Sequence, residues 1–230
     1  MNLQRQTFQH NGLTFSYLDS GPHPATDSRA LIALHGHSSH ADTYTRADYI
    51  SDLEAVFTHL NLQKAVLLGS SLGGVNAFQF AARHPEKVPA FILEDIGAIV
   101  TDDISFILPW SGVSPTREGL IAKVGERFAP YLADSFRKTP NGWTLAFEPR
   151  EIVASQNALC GDYLQDFLAT TCPALLIRGS QSRVTSAEHL EQMASRRPRT
   201  TLLTLEGGHI LHMDQPARFN TAVHKFIDSL

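Results

Sequence analysis

The chain is short of cysteine, of long hydrophobic runs and of basic residues, and each shortage excludes a class of protein. Only two cysteines occur among 230 residues, Cys160 and Cys172, and their spacing fits no zinc or redox motif. No apolar run approaches the roughly 20 residues that cross a bilayer. A formal net charge of -4 leaves no basic patch for nucleic acid or for an anionic membrane. We therefore expect a globular chain with reduced thiols and with neither nucleic acid nor membrane as a partner.

The N-terminus lacks the apolar run of a secretory signal. Residues 1–6 are mostly polar, which predicts a cytoplasmic protein. A hydrophobic fraction of 43% and a charged fraction of 18% are typical of a soluble globule. A chain of this length is expected to bury one sizeable core and to carry a smaller appendage.

Short apolar runs alternate with helical patterns along most of the chain. Apolar runs that stop at glycine or at an acid are typical of strands buried on both faces of a parallel sheet. The predicted strands are 30–34, 65–68, 90–93, 174–177 and 200–205, and the predicted helices are 47–60, 75–83, 186–196 and 216–230. An N-terminal hairpin is predicted from 7–9 and 13–18, joined through Asn11-Gly12. This order of strands and helices indicates an α/β domain with right-handed crossovers.

One insertion interrupts the alternation. Residues 98–169 have an irregular, helix-leaning sequence that is rich in aromatic side chains. We interpret them as a helical cap, inserted into a core formed by 1–97 and 170–230. Most of the aromatic residues are expected to form the core of the cap itself. Phe106, Trp110 and Trp143 are the candidates for lining a substrate pocket, since ligands of open α/β sheets bind beyond the carboxyl ends of the strands.

The strongest motif is Gly69-Ser70-Ser71-Leu72-Gly73-Gly74, between a predicted strand and a predicted helix. It matches the nucleophile elbow, Gly-x-Ser-x-Gly, in the strand–turn–helix context that this motif requires. Small residues two positions either side of the serine let the strand and the helix approach closely. The turn also directs the helix N-terminus and the amide of Leu72 toward developing negative charge. The motif predicts Ser71 as a nucleophile.

Three further segments accompany the elbow. They are His35-Gly36 at the end of a predicted strand, the run from Cys172 to Gly179, and Gly207-Gly208-His209 after the last predicted strand. With them the chain, from about Thr7 to Leu230, resembles the α/β-hydrolase superfamily in its esterase and meta-cleavage-hydrolase-like group. The resemblance implies the α/β-hydrolase fold, with a mostly parallel sheet, an N-terminal hairpin and a helical cap. It also implies hydrolysis of a small-molecule substrate without a cofactor or a metal.

The same resemblance implies a role for individual residues. His209 would be the general base that takes the proton of Ser71, in preference to His212 three residues later. The backbone N–H groups of His37 and Leu72 would form the oxyanion hole. Water would then cleave the acyl-enzyme.

The acid of the triad is expected at an uncommon position. Many members of the superfamily place it after the next-to-last strand, but residues 179–183 contain no carboxylate. Asp95 ends the predicted strand 90–93, and a subset of the superfamily uses an aspartate at this earlier strand end. We therefore predict that Asp95 orients His209. Glu94 should point the other way, because side chains alternate along a strand.

The chain departs from its relatives between His35-Gly36 and the elbow. Relatives carry two helices and a further strand there, whereas residues 37–70 leave room for one helix, so one central strand and one helix are expected to be absent. A gap inside a parallel sheet would leave backbone groups unpaired, which is costly when they are buried. A rearranged sheet, a strand from another chain and an internally shortened sequence all remain open, and the oligomeric state is left open with them.

Several functions stay open beside the hydrolysis of a carboxylic ester, which is the default. The fold also supports amide and carbon–carbon bond hydrolysis. The absent segment is compatible with an impaired binding protein. A zinc enzyme is a weaker alternative: the histidines His35, His37 and His40, with Asp42, are similar to the zinc motif of the metallo-β-lactamase fold, but Ser39 stands where that motif has an aspartate.

Overall fold

A computed structural model describes residues 3–21, 30–36 and 45–230 of the chain. Its strands are β1 (Gln4–His10), β2 (Leu13–Asp19), β3 (Leu31–Leu34), β4 (Val66–Ser70), β5 (Phe91–Glu94), β6 (Ile99–Val100), β7 (Phe136–Thr139), β8 (Gly142–Leu145), β9 (Gly161–Asp162), β10 (Ala174–Gly179) and β11 (Thr200–Leu205). Its α-helices are α1 (Arg46–His59), α2 (Leu72–Arg83), α3 (Arg117–Val124), α4 (Pro149–Leu159), α5 (Leu164–Ala169), α6 (Ala187–Arg196), α7 (Leu211–Asp214) and α8 (Pro216–Asp228). Two 3-10 helices span Ser105–Trp110 and Ala133–Ser135. In the described ranges, every helix is too short or too polar to cross a membrane.

The chain divides into two compact units. The first unit holds the described residues of Met1–His35 together with Arg46–Ala98 and Tyr163–Leu230. The second unit holds Ile99–Asp162 together with Gly36 and Thr45. The sequence assigns 98–169 to the predicted cap, but the second unit ends at Asp162 and helix α5 belongs to the first unit.

The core of the first unit is a five-stranded parallel sheet in the order β11-β10-β5-β4-β3. This sheet and the N-terminal hairpin confirm the predicted fold class. The central strands are apolar on both faces, and Leu67, Ile92 and Ile177 have 0% of their surface exposed. Burying such side chains on both sides of one sheet is the main stabilising contribution that this sequence offers.

The segment that the sequence predicts to be absent does not interrupt the sheet beside the elbow. Strand β3 pairs directly with β4, from Leu31 opposite Val66 to Leu34 opposite Gly69. Strand β5 pairs with β4 on its other side. The backbone of the strand that leads into the elbow is therefore hydrogen-bonded along both edges.

The N-terminal strands β1 and β2 form a separate two-stranded sheet. Asn11 and Gly12 at its turn have φ angles of 49° and 76°. Positive φ at both central residues is the requirement of a tight hairpin turn, which explains this dipeptide. The Phe8 ring stacks on His59 of α1 at a centroid distance of 4.5 Å, so the hairpin packs on a helix.

The second unit has a hydrophobic core of its own. Its buried members are Ile107, Trp110, Leu120, Val124, Ala129, Phe136, Leu145 and Ile152. The core lies among α3, α4, the 3-10 helix Ser105–Trp110 and the β7–β8 hairpin. Thr116 caps α3 by accepting a hydrogen bond from the amide of Gly119 at 3.0 Å.

Candidate active site

Ser71 occupies a strained turn between β4 and α2. Its φ of 52° and ψ of -124° are unusual for a residue other than glycine, and such backbone strain clusters at functional sites. The Ser71 N–H donates to the Glu94 carbonyl at 3.0 Å, and the Ser71 carbonyl accepts from the Gly74 N–H at 2.8 Å. The turn is thus held by the neighbouring strand on one side and by its own helix on the other.

The glycines of the elbow are there for steric reasons. A Cβ atom on Gly69 would lie 2.2 Å from the carbonyl oxygen of Gly73, and a Cβ on Gly73 would lie 2.2 Å from that of Leu34. Real Cβ atoms do not approach backbone oxygens so closely, so neither position accepts a side chain. The pattern that predicts the elbow is therefore a packing requirement of this fold.

The groups around Ser71 suit nucleophilic attack. The side chain of Ser71 makes no capping hydrogen bond to α2, although Ser71 is the N-cap residue. Leu72 is the first residue of that helix, and amides of a first helical turn have no partner within the helix. The Leu72 N–H is thus suited to bind negative charge. His37, the other predicted oxyanion donor, lies outside the described residues.

Asp95 lies at the end of the strand beside the elbow. Ser70 and Glu94 are opposite each other in the β4–β5 pair, so Ser71 and Asp95 are the next residues on two adjacent strands. Asp95 is completely buried and has a φ of 50°. Its N–H donates to the carbonyl of Ile177 at 2.8 Å, which ties it to β10.

The Asp95 carboxylate accepts hydrogen bonds from three groups of the chain. Oδ1 accepts from the Gly179 N–H at 2.9 Å, and Oδ2 accepts from Ser182 Oγ and from His209 Nδ1, the latter at 2.7 Å. A carboxylate accepts and does not donate, so Nδ1 of His209 carries the proton. A neutral ring in this tautomer has its lone pair on Nε2, as a general base for a serine requires.

Ser182 is a site residue that the sequence did not reveal. It lies in the turn after β10 where many relatives hold their acid, and it donates to Asp95 from there. A serine in a turn is too common to be noticed without its partner. Gly179 at the end of β10 and Ser182 in the turn that follows thus both donate to the carboxylate of the neighbouring strand.

The loop 206–210 carries His209 and is closely fitted to its surroundings. The Gly208 N–H donates to Asp214 Oδ2 at 2.7 Å. A Cβ on Gly179 would lie 1.9 Å from the Gly208 carbonyl oxygen, so this glycine lets the loop approach β10. His212, the alternative base, has its ring against Glu94, and not against Asp95.

The three predicted pocket residues lie in the second unit. Trp110 is 8% exposed and belongs to the core of that unit. Trp143 packs against the same core. Phe106 is 54% exposed, and its ring stacks on Phe128 at 5.5 Å. Contact of any of these side chains with a substrate stays a prediction.

Both cysteine thiols are poorly suited to nucleophilic chemistry. Burial raises the pKa of both Cys160 and Cys172, which keeps the thiols protonated and weakly nucleophilic. Over the residues that the structure describes, no cluster of three or more histidine, cysteine or acidic side chains could hold a metal ion. His37, His40 and Asp42 of the zinc alternative lie outside those residues.

Comparisons with known proteins agree with the fold. The model of the alpha/beta hydrolase family matches residues 10–222. The chain is 27% identical over 203 residues to the human serine hydrolase BPHL, covering 84% of this chain and 66% of that protein. It is 24% identical over 210 residues to 2-(acetamidomethylene)succinate hydrolase of Mesorhizobium japonicum, covering 85% of this chain and 76% of that one. A crystal structure of E-2-(acetamidomethylene)succinate hydrolase superposes with a TM-score of 0.82 at 19% identity, covering 99% of this chain and 100% of that chain.

A family match over residues 10–222 covers nearly the whole chain. The chain therefore belongs to the alpha/beta hydrolase family.

Proposed function

We propose that the protein is a serine hydrolase that cleaves a small carboxylic ester through an acyl-enzyme. The observation that carries the proposal is the hydrogen bond from His209 Nδ1 to the buried Asp95, at 2.7 Å, beside the strained elbow of Ser71. This pairing gives the imidazole the tautomer and the orientation of a general base. Relatives named as hydrolases support a hydrolytic reaction, without indicating the ester.

In this proposal, residues of this chain carry out each step of the reaction. Ser71 Oγ attacks the ester carbonyl while His209 Nε2 takes its proton. The Leu72 amide, and that of His37, stabilise the negative charge on the tetrahedral oxygen. The imidazolium of His209, stabilised by Asp95, then protonates the departing alcohol. Water attacks the acyl-Ser71 ester, with His209 again as base, and releases the carboxylic acid.

A direct test compares wild type with two neighbouring serine variants, Ser71→Ala and Ser70→Ala. Both change a serine of the elbow, but only Ser71 has the position of the nucleophile. We expect p-nitrophenyl acetate hydrolysis and fluorophosphonate labelling in wild type and in Ser70→Ala, and neither in Ser71→Ala. Mass spectrometry should locate the label on Ser71. Hydrolysis that persists in folded Ser71→Ala, or a label on another residue, would contradict the proposal.

Amide hydrolysis at the same site is the second candidate. It is favoured by the resemblance, in sequence and in fold, to proteins whose named substrate carries an acetamido group. The same residues would act, with His209 protonating the departing nitrogen. A comparison of kcat/KM for p-nitrophenyl acetate, p-nitroacetanilide and 2-(acetamidomethylene)succinate distinguishes the candidates. A preference for either amide over the ester, lost in Ser71→Ala, would make the protein an amidase.

A further inference from the structure

Glu94 is a buried carboxylate that the proposed reaction does not use. It precedes Asp95 in the chain, ends β5 and has 0% of its surface exposed. A buried carboxylate without partners is strongly destabilising, so its contacts indicate its purpose. All of the hydrogen bonds found for its side chain in the described residues come from His212.

His212 binds Glu94 through both its backbone and its ring. The His212 N–H donates to Oε1 at 2.8 Å. Ring Nδ1 lies 3.0 Å from Oε1 and 2.9 Å from Oε2, so one donor is shared between the two oxygens. His212 belongs to α7, the short helix that begins directly after the loop 206–210. The carboxylate therefore fastens the chain just beyond His209.

The main chain of Glu94 contacts the other side of the site. Its carbonyl oxygen accepts the hydrogen bond from the Ser71 N–H, and its successor Asp95 binds the ring of His209. One dipeptide, Glu94-Asp95, thus contacts the elbow, the imidazole and the helix that follows the imidazole.

We propose that Glu94 is a positioning residue, which holds the loop 206–210 through His212 so that the imidazole of His209 stays in register with Ser71. The inference rests on the proposed function of His209 as the base. Asp95 restrains the ring of His209 through Nδ1. The backbone of the loop is held before His209 by the Gln181 N–H, which donates to the Gly207 carbonyl at 2.9 Å, and by Asp214, which binds the Gly208 N–H. Glu94 holds the chain that follows His209, through His212.

The charges around His212 support a persistent contact. The hydrogen bond to Glu94 is the main cause that raises the pKa of His212, and partial burial opposes it. Asp214 of the same helix raises this pKa further, and the ring of Phe219 from α8 lies 6.1 Å away. A protonated His212 neutralises the buried carboxylate, so the contact is charge-assisted.

The test is a graded series at Glu94 with matched controls. Glu94→Gln keeps an acceptor for the His212 N–H but loses the charge, and Glu94→Leu loses both. His212→Gln removes the ring and keeps the backbone donor. Glu206→Gln changes an exposed carboxylate of the same loop, and His224→Gln changes an exposed histidine of α8. Measurements are kcat and KM for p-nitrophenyl acetate, and hydrogen–deuterium exchange of residues 206–214.

Positioning predicts a loss in kcat with little change in KM. We expect kcat to fall by about 10-fold in Glu94→Gln and His212→Gln and by about 100-fold in Glu94→Leu, since misplacing a catalytic group by about 1 Å costs roughly 100-fold. Exchange of 206–214 should be faster in all three, and both controls should match wild type. If Glu94→Leu does not fold, the two glutamine variants decide the matter.

The other outcomes are equally informative. Faster exchange with unchanged kcat would overturn positioning and leave a purely structural contact. Unchanged hydrogen–deuterium exchange of residues 206–214 in these variants would overturn the positioning role as well. A loss in His212→Gln as large as that in His209→Gln would make His212 the base itself. If wild type neither turns over nor labels at Ser71, the proposed function falls, while faster exchange in Glu94→Gln would still establish that Glu94 holds the loop.

Discussion

The two ends of strand β5 each bury a charge, and they do so in opposite ways. At its beginning, the guanidinium of Arg197 lies 4.9 Å from the centre of the Phe91 ring and 5.3 Å from that of Phe167. Arg197 is 2% exposed and donates to oxygens of Thr170, Cys172 and Thr200, all of them uncharged. At its other end, Glu94 and Asp95 are each bound by a histidine.

The difference lies in what can change protonation. Arginine stays charged at any physiological pH, and carbonyl and hydroxyl acceptors do not titrate there. The beginning of β5 is therefore inert to pH. Histidine is the side chain whose charge changes most readily near neutrality, and the pKa of His212 at the carboxyl end is raised by its hydrogen bond to Glu94. One strand thus separates an arginine held by uncharged acceptors from two carboxylates held by histidines.

The largest effect in this comparison is expected for Asp95→Asn. An amide at this position donates to His209 or favours its other tautomer, and the loss of an equivalent aspartate lowers kcat by about 10⁴-fold in a serine protease. We expect a decrease of that order in ester hydrolysis, with the variant still folded. Asp228→Asn, an exposed change on α8, is the control. An Asp95→Asn variant with wild-type kcat would remove Asp95 from the mechanism.

A change at Arg197, at the beginning of β5, is expected to lower stability and to leave catalysis unchanged. Arg197→Met would leave the oxygens of Thr170 and Cys172 without their donor, and unsatisfied buried acceptors cost about 1–3 kcal/mol each. We expect the free energy of unfolding in urea to fall by about 3 kcal/mol. The kcat of the folded fraction should stay that of wild type. A variant with normal stability and reduced kcat would contradict the division between the two ends.

A smaller effect is expected at Ser182. Ser182→Ala removes one of the donors to the Asp95 carboxylate, so the group that orients His209 in the proposed mechanism is held less firmly. We expect kcat/KM to fall by about 10-fold, as for other hydrogen bonds to a charged group. Ser182→Thr retains the hydroxyl and should restore kcat/KM. A Ser182→Ala variant with wild-type kcat/KM would exclude this role.

The smallest effect is a pH dependence of stability. Since the pKa of His212 is raised in the folded chain, its stabilising contribution is complete below its unfolded pKa of about 6.5 and is lost as the pH rises through the folded value. The side chain is 45% exposed, so solvent screening limits the contribution to about 1 kcal/mol or less. The difference in unfolding free energy between wild type and His212→Gln should shrink from pH 6 to pH 9. A difference in unfolding free energy that grows with pH would contradict this prediction.

The elbow and the sheet could be predicted because their sequence signals are local. Gly69 and Gly73 are required by contacts with backbone atoms, and the apolar runs are required by burial on two faces. The contact of Asp95 with His209 could also be predicted, because Asp95 ends a predicted strand and the usual position of the acid holds no carboxylate. Its catalytic role stays a prediction.

The contacts of Ser182 and Glu94 could not be predicted, because each joins residues far apart in the chain. Serine in a turn and glutamate at a strand end have many ordinary explanations. Their partners become visible only when β5, β10 and the chain after β11 are brought together. The expectation of a missing strand and helix was misleading for a related reason. The short spacing between Gly36 and the elbow is visible in the sequence, but the place of a missing strand in the sheet is not. In the structure β3 pairs directly with β4.

Ser182 has a consequence for how such enzymes evolve. Its hydroxyl reaches the oxygen of Asp95 that also binds His209, so a carboxylate on the turn after β10 and one on the end of β5 would serve the same point in space. The position of the acid in the sequence can therefore change while its position in the folded molecule stays the same. A lineage that moves the acid from the turn after β10 to the end of β5 therefore does not have to move the imidazole.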